Sequence, residues 1–135
     1  MFVLGFSHYN LCAPRDVLEQ LRAFYCDVIG LKVGPRPSFD RPVYWLYIGE
    51  HDVLHLIEAR IDDVRSLNVN TTFDHVAFNC VNRAAVERML IDRGIAYRVA
   101  HVPGRSQIQL FLRDPAGNGV ELSFTQSDAK NFLSN

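Results

Sequence analysis

The chain repeats itself, and that repeat constrains its fold more than any other feature. Residues 2–12 read as a strand that stops at Pro14. From Ala13 the period changes. Val17, Leu18, Leu21, Phe24, Tyr25 and Val28 recur at the spacing of an amphipathic helix. Pro14 suits its first turn and Gly30 its C-terminal stop. Strands over 31–36, 43–49 and 52–60 follow, the last two joined by the turn "GEHD". Then the order begins again. "FDHVAFNC" (73–80) is a strand, Asn82 caps a second helix carrying Val86, Met89 and Leu90, and Gly94 ends it. Strands over 95–101, 106–113 and 119–125 complete the half, with "DPAGNG" as the hairpin turn between the last two. Both halves read β-α-β-β-β. The polar stretch "RIDDVRSLNVNTT" links them, and the tail from Gln126 reads as loosely held. The expectation is an α+β chain, a single domain over 1–135. Its two βαβββ modules, about 2–60 and about 72–125, form a cupped mixed-sheet cleft with the helices outside.

The repeat also pairs chemically useful side chains. His8 in "SHYN" lies 67 residues before His75 in "DHVA", each in the first strand of its half. His55 in "VLHLIE" lies 66 residues before Glu121 in "GVELSF", each in the fourth strand. Side chains alternate along a strand, so Val120, Leu122 and Phe124 share one face while Glu121 and Ser123 share the other. Likewise Leu54 and Leu56 oppose His55, and Val76 and Phe78 oppose His75. One face is apolar and covers a helix; the other carries every candidate ligand. Imidazole and carboxylate donors suit Zn, Ni, Co, Mn or Fe(II). Three or four protein ligands leave coordination positions open, as catalytic metals require. Glu121 is a candidate catalytic residue as well, since a carboxylate can leave the ion and move a proton. The same offset relates Phe111 to Trp45, each ten residues before a fourth-strand ligand. If the hairpins pair symmetrically, both rings and Gln109 line the substrate pocket; a one-residue slip would instead put Trp45 under a helix.

Other positions carry less. His51 lies in a turn between Glu50 and Asp52 and reads as solvated surface, and His101 ends a strand. "DPAGNG" opens no helix, which favours a hairpin over a phosphate loop. Cys12 has no neighbouring base in sequence and reads as an inert thiol. One of Arg98, Arg105 and Arg113 could meet an anionic substrate, but spacing does not choose among them. Fourteen basic and fifteen acidic residues leave a net charge of -1, so neither a nucleic-acid nor a membrane surface is expected. The opening "MFVLGFSHYN" lacks the pattern of a signal peptide or membrane span. Three cysteines without C-x-x-C spacing argue for a reducing cytoplasm rather than a disulfide framework.

Five segments, "SHYNL", "FYCDVIGLKV", "VLHLIEA", "DHVAFNC" and "LFLRDPAGNGVELSF", resemble the vicinal oxygen chelate superfamily over residues 5–125. That superfamily includes glyoxalase I, fosfomycin-resistance proteins, extradiol dioxygenases and bleomycin-binding proteins. The resemblance implies paired βαβββ modules, a divalent metal, a small-molecule substrate and a homodimer. It places His8, His75 and Glu121 on the most widely shared metal positions, and His55 where glyoxalase I has its further ligand. Cys12 stands where bacterial glyoxalase I generally has a glutathione-binding Arg, and Ala59 where it has an Asn. Asn10 replaces the Thr of fosfomycin-resistance proteins, and Phe111 the acid Tyr of extradiol dioxygenases. The expected function is a metal-dependent, glyoxalase-like lyase or isomerase that moves a proton on a chelated substrate. The alternatives are an Fe(II) extradiol-type dioxygenase using His8, His75 and Glu121, and a metal-free protein sequestering an aromatic compound between Trp45 and Phe111.

Overall fold

A computed structural model describes residues 1–125, and the Gln126 tail lies outside them. The chain divides into two compact units, Met1–Leu67 and a second beginning at Asn68, so the boundary falls inside the polar linker. Each unit is a four-stranded mixed sheet with a helix, and both have the same strand order.

In the first unit, β1 (Tyr9–Ala13) lies parallel to β4 (His51–Glu58), which pairs antiparallel with β3 (Val43–Ile48), and β3 with β2 (Lys32–Gly34). The helix α1 (Arg15–Phe24) packs on β4 and β1, with Pro14 as its N-cap. Its apolar stripe Val17, Leu18, Leu21 and Phe24 is buried, as are Leu46, Leu54 and Leu56. The single helix expected as far as Gly30 instead ends in a π-helical turn, Tyr25–Ile29, closed by Leu31 N–H donating to Tyr25 O at 2.9 Å. The wider turn keeps Tyr25 wholly buried before Gly30 leaves the helix at φ 93°.

The first strand is shorter than its composition suggests. Residues 1–8 form no element, and Phe2 and Leu4 are fully exposed. The reason lies in the neighbouring strand. The β3–β4 ladder runs regularly from Val43↔Ile57 to Leu46↔Leu54, then pairs Tyr47 with Asp52, leaving Val53 as an extra bulged residue. The parallel β1–β4 ladder starts at Tyr9↔Leu54, immediately beyond that bulge.

In the second unit β5 (His75–Asn79) lies parallel to β8 (Gly119–Thr125), β8 antiparallel to β7 (Gln107–Arg113), and β7 to β6 (Arg98–His101). Helix α2 (Arg83–Asp92) is capped by Asn82, whose side chain accepts from Ala85 N–H at 3.3 Å. Phe78, Leu90, Leu110, Leu112, Val120, Leu122 and Phe124 are buried. The "DPAGNG" hairpin is organised by buried Asp114, whose Oδ1 accepts from the N–H groups of Ala116 and Asn118 at 2.9 Å each. No helix of the described residues is long and apolar enough to cross a membrane.

Candidate metal centre

The repeat read from the sequence reappears in the pairing. Tyr9 faces Leu54 in the first unit as Val76 faces Val120 in the second. Trp45 is the cross-strand partner of His55, and Phe111 that of Glu121. Cross-strand partners share a face. Trp45 and Phe111 therefore stand beside the fourth-strand ligand positions, each within its own sheet.

In the first unit three rings stack. His55, only 6% exposed, lies 3.6 Å from the His8 ring centroid on one side and 4.0 Å from Trp45 on the other, at interplanar angles of 18° and 7°. His8 is not inside β1 but immediately before it, exposed, with its Nδ1 on Ser7 Oγ at 2.9 Å. His55 Nε2 meets Asp52 Oδ2 at 2.6 Å. Asp52 is a partner that the strand spacing alone does not single out. Residues three apart on a regular strand point to opposite faces. The Val53 bulge cancels that difference and turns Asp52 to the His55 side. The His55 hydrogen bond holds the Asp52 carboxyl below the usual aspartate range. His8, Asp52 and His55 thereby offer donor atoms all within 4.8 Å of one another.

The second unit holds the other pair. His75 Nε2 lies 2.9 Å from Glu121 Oε2, and each side chain is fixed from behind. Asp74 Oδ2 meets His75 Nδ1 at 2.7 Å, and Gln109 Nε2 donates to Glu121 Oε1 at 2.7 Å. Such outer contacts fix the ring and carboxylate orientations and leave His75 Nε2 and Glu121 Oε2 facing each other. Glu121 is 5% exposed, and the Phe111 ring meets His75 edge-on at 5.4 Å between centroids. Gly119 lets β5 come close: a methyl group there would lie 2.2 Å from Asp74 O.

The remaining candidates fall outside these clusters. His51 is exposed at the start of β4, with Nε2 at 2.8 Å from Ser7 O. His101 is exposed at the end of β6. Cys12 approaches Asp63 Oδ2 at 3.8 Å, and burial pushes its thiol up, away from a nucleophile's range.

Imidazole nitrogens and carboxylate oxygens, oriented by second partners, are a donor set that fits a divalent transition ion. The sequence matches no family model and no curated protein. Solved structures do match. A glyoxalase family protein from Bacillus anthracis superposes with a TM-score of 0.72 at 24% identity, covering 93% of this chain and 98% of that one. Lactoylglutathione lyase from Agrobacterium tumefaciens gives 0.64 at 20%, covering 92% and 96%. The fosfomycin resistance protein FosX from Listeria monocytogenes gives 0.67 at 14%, covering 94% and 98%. The chain shares the fold of these solved structures, the paired βαβββ modules that the motifs implied.

Proposed function

We propose that the chain is a metal-dependent enzyme of glyoxalase type, moving a proton on a small substrate chelated to a divalent ion. His8, His55, His75 and Glu121 are the proposed ligands, with Asp52 as a further donor beside His55. The observation that carries this reading is the ligand pairing. The two positions matched by the repeat meet within each unit, as the His8–His55 stack and the His75–Glu121 contact at 2.9 Å. A bound divalent ion would polarise a substrate oxygen and make a neighbouring proton easier to remove.

The residues divide the remaining work. Asp74 and Gln109 hold His75 and Glu121 in register from behind. Glu121 accepts and returns the proton through Oε2, while Gln109 keeps Oε1 in place. His55, clamped between two rings, serves as a ligand only.

Metal analysis of the purified protein comes first, with about one ion per chain expected. Turnover is then measured with methylglyoxal hemithioacetals of several thiols and with catechols. Glu121→Gln should retain part of the metal while turnover falls about a hundredfold, the scale of a lost general base. His55→Gln should weaken metal binding more than turnover at saturating metal. Metal-loaded Glu121→Gln working as fast as wild type would overturn the proton-transfer role. Turnover of catechols with oxygen uptake would move the assignment to the dioxygenase class.

A further inference from the structure

The second unit carries an open hollow of about 580 Å³ beside His75. Sheet register explains why it is there. His75 pairs with Gly119 and Gly119 with Arg113, so the row running from His75 to Arg113 has no side chain in its middle. The next row on the same face runs Glu121, Phe111, Arg98. Arg113 thus stands across the side-chain-free Gly119 position from His75, and Arg98 stands across Phe111 from Glu121. Asp74, Tyr97, Arg98, Phe111 and Arg113 line the hollow together with His75.

The two arginines are not equivalent. Arg113 donates to Gly117 O at 2.8 Å, which commits it to the β7–β8 turn. Arg98 lies over the Phe111 ring, its Cζ 4.6 Å from the centroid, and no carboxylate of the described residues forms a salt bridge with it. A guanidinium held over an aromatic ring by cation–π attraction, with no carboxylate partner, retains N–H groups for an anion. Two of these match the two oxygens of a carboxylate. The same Phe111 ring touches both His75 and Arg98, so one small molecule reaching from one to the other would pass beside that ring.

We infer that this hollow is a carboxylate-binding subsite, with Arg98 as the anion's partner and Phe111 as the apolar wall beside the attached body. The substrate class is then a small organic carboxylate. The inference rests on the metal-centre reading only for the other end of the molecule, which His75 and Glu121 would meet. Arg105 lies outside the lining, which resolves a choice that sequence spacing leaves open.

The test uses benzoate and its neutral isostere benzamide, titrated by calorimetry into metal-free protein, with metal uptake measured separately on the same preparations. Benzoate should bind at least about tenfold more tightly than benzamide, the order expected for a charge-assisted bidentate contact. Arg98→Met should reduce benzoate to the level of benzamide, and Arg98→Lys should keep part of the preference, since it restores charge without the fork. Arg98 is exposed, so both variants should melt like wild type. Equal affinity for the two probes in wild type, or a preference that survives in Arg98→Met, overturns the subsite. Because these titrations contain no metal, a protein that prefers benzoate but takes up no ion refutes the metal-centre reading and leaves the subsite standing.

Discussion

At the scale of single residues, the site's least expected member is Asp52. Its carboxylate lies 2.6 Å from His55 Nε2 on a part of the ladder where alternation fails. Asp52→Asn keeps the shape but removes the charge. Metal affinity should fall about tenfold or more, the usual effect of altering a partner of a ligating histidine. His101→Ala, at a strand end away from both clusters, should leave affinity unchanged. Unaltered metal content in Asp52→Asn at limiting metal would separate Asp52 from the centre. The four proposed ligand positions are those that two matched spacings pick out in the sequence. Trp45, Gln109 and Phe111 follow from the same offset, and each stands next to His55 or Glu121 in the fourth strand of its unit. Asp52 was not legible, because a period of two puts it on the core face, and only a bulge, invisible in the letters, brings it across.

At the scale of elements, two contacts set how the strands and helix meet the site. Gly119 sits where β8 passes Asp74, and a methyl group there collides with backbone rather than with a yielding side chain. Gly119→Ala should displace the start of β5, cost about 1–3 kcal/mol in urea unfolding, and weaken metal binding through His75. A stable variant with normal metal affinity would contradict that close approach. On the opposite face of β3, Tyr44 donates to Glu19 Oε1 of α1 at 2.6 Å. This bond, followed by the Arg22 contacts, lowers the Glu19 carboxyl below its ordinary range, while it raises the Tyr44 phenol. A lowered folded-state carboxyl stabilises above its unfolded value and loses that contribution as pH falls through the folded one. Tyr44→Phe should therefore cost about 1 kcal/mol near neutral pH, and the gap should close in acid below the glutamate range. A gap that persists unchanged in acid would mean that packing, not the hydrogen bond, is lost. Strand order and helix stripe were readable here from periodicity. The early end of β1 was not: Phe2, Val3, Leu4 and Phe6 satisfy a strand's composition, but the ladder they would join breaks at Val53.

At the scale of the whole molecule, the repeat and an exposed apolar segment lead to a prediction about assembly. The apolar side chains of Phe2, Val3, Leu4 and Phe6 are exposed in the single chain, a patch that invites cover. Repeated modules pair readily about a two-fold axis, which buries one surface against its own copy. The expected state is a homodimer at micromolar concentration, checked by light scattering. A stable monomer would remove the claim while leaving the ligand pairs within each unit untouched. The shared strand order of the two units, with ring and ligand in matching cross-strand rows, is the part of the architecture that the sequence declared most openly. The differences between the units, a bulged two-residue turn in one and an aspartate-centred loop in the other, depend on local backbone detail that spacing does not encode.

The bulge also bears on how chain length can drift at this hairpin. Deleting Val53 would leave Leu46 against Leu54 and Tyr47 against Asp52, now in an unbroken ladder. Asp52 would then fall two positions from His55, still on its face. A deletion at this one position is thus absorbed without turning any functional side chain over. An insertion between His55 and Leu56 has no such escape, because it must send either the imidazole into the helix-facing core or Leu56 out of it. The chain shortened by Val53 should therefore match the metal uptake of the full chain, and a chain lengthened between His55 and Leu56 should fall below it.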